Sequence, residues 1–195
     1  VGFCDVASPT NERTLVAALI PPGTICGHKV PTFLFEPEFE WSYMVWLSVA
    51  NSFAMDFIAR KKVSLTMSFT ILDSLPFPRP TGREPWAREL VRLGLQLTAT
   101  GPEMAAYWNA LAKHGWVESV QAETKDAGVT DPERRMLIRA EAEAIVAGDI
   151  FELNRQELGN ILETFPTARE YEQQQFGEFR TRRLILEALE RRTSR

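Results

Sequence analysis

Three short stretches of the chain carry side chains able to bind a polar polymer. Ser8-Pro9-Thr10-Asn11-Glu12-Arg13-Thr14 offers hydroxyl, amide and guanidinium groups between two expected strands, the types that bond to base edges and phosphates. The same stretch has the makings of a hairpin turn whose Asn and Thr satisfy their own backbone. Gly27-His28-Lys29-Val30-Pro31 presents two donors at another turn, and reads equally as a solvated loop. Arg60-Lys61-Lys62 closes an expected helix and is followed by Ser64, Thr66 and Ser68 in an extended stretch. A phosphate-binding ridge would look like this, and so would three cations complementing the helix macrodipole. Trp41, Trp46, Phe53 and Phe57 could stack on bases, although their helical spacing places them in a core. Arg180-Thr181-Arg182-Arg183 reads as a solvated helix face.

Catalytic patterns are missing from this inventory. The sequence holds no G-x-G-x-x-G, P-loop, H-E-x-x-H, G-x-S-x-G or paired C-x-x-C. Its two histidines, His28 and His114, fall in different halves without neighbouring ligand types. Glu123-Thr124-Lys125 has the acid-x-lysine order of metal-dependent nucleases, but it occupies a polar loop between expected helices. Cys4 and Cys26 fit neither a disulfide framework nor a zinc spacing, and are expected to be reduced, apolar in behaviour and buried on strands. The chain is therefore read as having no active site, cofactor or metal of its own.

Positioning these stretches calls for an α+β fold. Short β-type runs at residues 1–6, 14–20, 24–26 and 32–35, separated by Pro and Gly turns, predict a small antiparallel or mixed sheet. Residues 40–61 carry apolar side chains at helical spacing and predict one long helix or two consecutive ones packed on that sheet. Residues 68–72 could return as a strand. Leu75-Pro76-Phe77-Pro78-Arg79-Pro80 can neither continue a helix nor serve in a central strand, so it is expected to be a rigid connector and the domain boundary. The reading is a mixed α/β lobe over 1–80 and an all-helical lobe over 81–195. Helices are expected from a capping box at Thr81-x-x-Glu84, over 102–113, from Asp131-Pro132 to about 147, from Asn154 through Leu162, and over 179–191.

The net charge of −4 runs against a general affinity for nucleic acid. Charges balance through Arg83, so the acidic excess lies in the later half and any basic face belongs to the first. Even the apolar run from Tyr43 to Ala59 is broken by Asn51 and Asp56, which argues against a membrane role. The opening Val1-Gly2-Phe3-Cys4 has neither an initiator Met nor a signal-like region and reads as the start of an internal piece.

Five ordered blocks then carry a resemblance. They are Asp5-Val6-Ala7-Ser8-Pro9-Thr10-Asn11-Glu12-Arg13-Thr14 with Ile20-Pro21-Pro22; His28-Lys29-Val30-Pro31; Asn51-Ser52-Phe53 with Asp56-Phe57-Ile58-Ala59-Arg60-Lys61-Lys62-Val63; Leu75-Pro76-Phe77-Pro78; and the closing segments at 158–166 and 176–188. In this order they resemble the C-terminal segment of type IIG restriction-modification enzymes and of related adenine methyltransferases from BREX-like and DISARM-like phage-defence systems. The resemblance implies an upstream domain that binds S-adenosylmethionine and acts on the adenine N6 amine of a flipped base. Ile20-Pro21-Pro22-Gly23 lacks the Asn or Asp and the aromatic residue of that catalytic motif. What it implies for this chain is a cytoplasmic, non-catalytic target-recognition part, bound to double-stranded DNA and to the upstream domain, with Asn11, Arg13, Thr14, His28, Lys29, Arg60 and Lys62 at or near DNA. The alternative is a module that couples the methyltransferase to other defence-system proteins through the acidic helices.

Overall fold

A computed structural model describes residues 1–118 and 128–194. The chain is α+β and mostly helical, with one two-stranded antiparallel sheet and nine α-helices among the described residues.

The sheet is much smaller than the β-type runs suggest. Strands β1 (Gly2–Phe3) and β2 (Ala17–Ala18) pair with Gly2 opposite Ala18 and Phe3 opposite Ala17, and single bridges join Gly2 to Thr32 and Val6 to Thr66. Two causes shorten the expected strands. Pro9, Pro21, Pro22 and Pro31 remove backbone donors. Side chains also take ladder positions: Asp56 accepts from the N–H groups of Thr14 and Leu15, and Asn51 both accepts from Ala17 N and donates to Ala17 O. Cys4, expected to be buried, is exposed beside β1, its thiol donating to Val6 O.

Of the two alternatives for the 40–61 run, the structure has two consecutive helices, α1 (Ser42–Ala50) and α2 (Phe53–Lys62), divided where Ser52 caps α2 by accepting from Met55 N. The run at 68–72 is not a strand. Ser68 Oγ accepts from Ile71 N, and this N-cap starts the short α3 (Phe69–Asp73). Helix α4 (Pro85–Thr98) begins later than the expected capping box. Its cap is Glu84, whose carboxylate turns back to accept from the N–H groups of Thr81 and Gly82. Then follow α5 (Ala105–Lys113) and α6 (Pro132–Ile145), the latter capped by Asp131 and running into a π-helical turn at Val146–Ile150. Asn154 and Glu157 form the capping box of α7 (Arg155–Glu163). Helix α8 (Pro166–Phe176) was not foreseen, since its polar sequence buries only Ala168. It ends at Gly177, whose φ of 75° lies in the left-handed region that glycine adopts without strain. Helix α9 (Arg180–Thr193) buries Leu184, Ile185, Leu186, Ala188 and Leu189.

The proline connector does not divide the core. One apolar cluster takes Phe3 and Leu15 from the N-terminal segment, Met44 and Val49 from α1, Leu90 and Leu93 from α4, and Ile138 and Ile145 from α6. A second joins Phe53 of α2 to Leu158, Leu162, Phe165, Leu186 and Leu189. Both clusters draw on residues from either side of 75–80, so the two expected lobes are not separately cored. No described helix is long and apolar enough to cross a membrane.

Candidate functional site

Among the described residues, the buried polar and charged side chains Thr14, Ser52, Asp56 and Glu143 gather around the first turn of α2. Asp56 is fully buried, and its Oδ1 accepts from Thr14 N at 2.8 Å and Leu15 N at 2.7 Å. Its Oδ2 accepts from Arg60 Nη2 at 2.8 Å, one helical turn on, and lies 3.8 Å from Arg13 Nε. Glu143 reaches in from α6, accepting from Phe53 N at 2.9 Å and Ala54 N at 3.2 Å. It thus supplies an anion to open donors at a helix N-terminus. Two carboxylates and two guanidinium groups share the cluster, so its formal charges cancel.

Aromatic rings wall in the cations. Arg13 lies 4.1 Å from the centre of the Phe53 ring and Arg60 3.8 Å from that of Phe165, while the two rings meet edge to face at 4.7 Å. Burial lowers the Arg13 pKa, opposed mainly by the Asp56 charge. Burial also pushes the Glu143 carboxyl up to about 6, opposed by Arg13 and by the two N–H donors of α2.

The cluster pins the loop at 8–13 to the helices. Arg13 Nη2 donates to Asn51 O at 2.6 Å, Arg60 Nη2 to Glu12 O at 3.4 Å, and Thr167 Oγ1 to Thr10 O at 3.4 Å. Arg60 Nη1 also donates to Thr164 O at 3.2 Å, just before α8. The base of the loop is therefore fixed, while Pro9, Thr10, Asn11 and Glu12 at its tip are exposed.

Of the seven residues expected at DNA, the structure brings Arg13, Thr14 and Arg60 together and turns them inward. Thr14 is buried and its hydroxyl donates to Ser8 O, and the Arg60 side chain is only 8% exposed. Their spacing in the sequence matched a recognition surface because a buried ion network uses the same residue types. Asn11, His28, Lys29 and Lys62 are exposed; Lys29 pairs with Asp5 at 3.0 Å, and Lys62 donates to the carbonyl and hydroxyl of Ser74. Arg180, Arg182 and Arg183 are tied to Glu133, Glu163, and Glu178 and Glu187 respectively, so that helix face is laced with ion pairs. Glu123-Thr124-Lys125 lies outside the described residues.

Comparison with protein-family models, with curated proteins and with solved structures found no match to the chain.

Sequence reasoning missed Asp56, Glu143 and Phe165 as partners of these arginines. Asp56 did carry a signal: it interrupts an apolar run and stands four residues before Arg60, the spacing of a helical ion pair. Glu143 carried none, since it is one of several glutamates in an alanine-rich helix.

A second feature is an aromatic groove of about 530 Å³, walled by Phe33, Phe35, Phe39, Trp46, Phe69 and Phe77. Trp46 stacks on Phe77 at 5.0 Å and meets Phe33 edge-on at 4.9 Å. Of the four aromatic residues first read as core, Trp41 and Phe53 are buried, and Trp46 and Phe57 are half-buried. Among the described residues no cluster of three or more His, Cys, Asp or Glu could hold a metal ion.

Proposed function

We propose that the chain is the non-catalytic target-recognition and docking part of an S-adenosylmethionine-dependent DNA adenine-N6 methyltransferase or restriction-modification enzyme, working in the cytoplasm on double-stranded DNA. The observation that carries this reading is the convergence of three of the blocks that resemble those enzymes. Arg13 from the first, Phe53, Asp56 and Arg60 from the third, and Phe165 from the last meet in one network, with Asn51 O of the third taking a further bond from Arg13 at its edge. Residues so widely separated in sequence and so closely joined in space form a frame, and a frame is what a recognition loop needs. Fixing the loop base at residues 12 and 13 before DNA arrives lowers the ordering cost of binding.

In this reading Arg13, Thr14 and Arg60 position the loop, and Asn11, His28, Lys29 and Lys62 face the duplex. S-adenosylmethionine belongs to the upstream domain, and no residue of this chain is assigned to it. The test is duplex-DNA binding over a salt series. Lys29→Ala and Lys62→Ala are each expected to weaken binding and lower the slope of log affinity against log salt by about one. Asn11→Ala should weaken binding without changing the slope. Absence of salt-dependent binding by the folded chain, or identical slopes for all the variants, would overturn the reading. The alternative, a module joining the methyltransferase to other defence-system proteins, is favoured by the aromatic groove rather than by the acidic helices, whose charges are largely paired.

A further inference from the structure

From the composition of the groove, we infer that it is a docking site for a partner protein and takes an arginine side chain from a basic, extended segment of that partner. The inference stands independently of DNA binding.

Phe39 and Phe69 are 46% and 45% exposed, so two phenyl rings stand half in solvent at the groove, and its volume lies in the range of sites that enclose small groups. Aromatic faces are electronegative and attract organic cations, Trp most strongly. The lining holds one charge of each sign, Asp73 and Arg79, and Glu36 and Glu38 beside Phe39, carried by the 3-10 turn at Pro37–Phe39, tip the local balance to the acidic side. Among the described residues the carboxylates of Glu36, Glu38 and Asp73 have no hydrogen-bond or ion-pair partner, which leaves them able to meet a cation from outside.

Other ligand classes fit less well. A strand of nucleic acid would also stack on these rings, but it needs a basic track for its phosphates, and Arg79 alone, set against Asp73 with Glu36 and Glu38 nearby, does not supply one. A purely aliphatic ligand would leave the Asp73 carboxylate without a use. The protein already uses the proposed contact internally: Arg13 over Phe53, Arg60 over Phe165, and Arg88 over Trp116 at 5.0 Å.

The test is calorimetric titration of the whole chain with a blocked Gly-Arg-Gly-Arg-Gly peptide, its Gln-for-Arg counterpart and a short oligothymidylate. The arginine peptide is expected to bind with millimolar or tighter affinity and the Gln peptide about tenfold more weakly. Asp73→Asn and Phe39→Ser should each lower affinity for the arginine peptide about three- to tenfold. Both side chains are exposed, and an unchanged far-ultraviolet circular dichroism spectrum would show that the fold is retained. Equal binding of the Gln peptide, binding of oligothymidylate in place of the arginine peptide, or no heat of binding up to about 10 mM peptide would overturn the inference.

Discussion

Replacing Asp56 tests whether the buried network is a structural frame. The carboxylate accepts from Thr14 N, Leu15 N and Arg60 Nη2 and offsets the charge of Arg13. Removing one partner of a buried ion pair costs about 3–5 kcal/mol, because the other charge stays buried without compensation. Asp56→Asn keeps an acceptor for the two amides but sets an N–H group against Arg60, so its expected loss is about 3 kcal/mol. Asp56→Ala also leaves two buried N–H groups unmet, at about 1–3 kcal/mol each. Its total loss would approach the whole stability of an average domain, about 5–15 kcal/mol. Urea denaturation followed by tryptophan fluorescence measures these losses. Arg60→Met should make Asp56→Asn less damaging, with a coupling of about 2 kcal/mol in the double variant. A loss below about 1 kcal/mol for Asp56→Asn at unchanged denaturant slope, or additive effects within about 0.5 kcal/mol, would refute the reasoning. By the same arithmetic Arg60→Ala would loosen the frame, so under the proposed DNA-recognition role any loss of binding in that variant reports the frame rather than a phosphate contact.

Two more predictions concern the same region. Burial raises Glu143 to about 6, above the unfolded value of about 4.3, and a carboxyl raised by folding favours the folded state most below the unfolded value and loses that contribution as pH rises through 6. The stability of the native chain relative to Glu143→Gln should therefore fall by about 2 kcal/mol between pH 4 and pH 7, and parallel pH profiles of the two would contradict this. Asn51→Ala removes both hydrogen bonds to the edge of β2, with an expected loss of about 1–2 kcal/mol and faster hydrogen exchange at Ala17; unchanged exchange there would count against the edge-capping role.

Two helix starts were legible from local punctuation, whereas Ser68, a cap of the same kind, stood in a run expected to be a strand. Asp131-Pro132 and Asn154 each provide a cap with a local mechanism, and each starts a helix, while the Ser52 cap that divides the 40–61 run was not singled out. Legibility failed where a distant group decides the outcome. Residues 14–20 form a β-type run, but Asp56 and Asn51 occupy their hydrogen-bonding positions, so only Ala17–Ala18 pairs with another strand. Helix α8 failed for the opposite reason: it buries so little that no apolar period marks it. At the candidate site, residue types identified Arg13, Thr14 and Arg60 as important without revealing whether they face inward or outward. That choice depends on Phe165 and Glu143, more than 80 residues away from Arg60 and Phe53 in the chain.

Glu143 caps α2 from 90 residues downstream, and this sets an order of events during synthesis. At about 5–20 residues per second, a ribosome needs roughly 5–20 s to reach Glu143 after completing Phe53. For that interval Ser52 can cap Met55 N, but the N–H groups of Phe53 and Ala54 are without their Glu143 acceptor. The loop at 8–13 gains its contact with Thr167 later still, so the nascent chain passes through a period in which this loop is complete in sequence but not yet set in place.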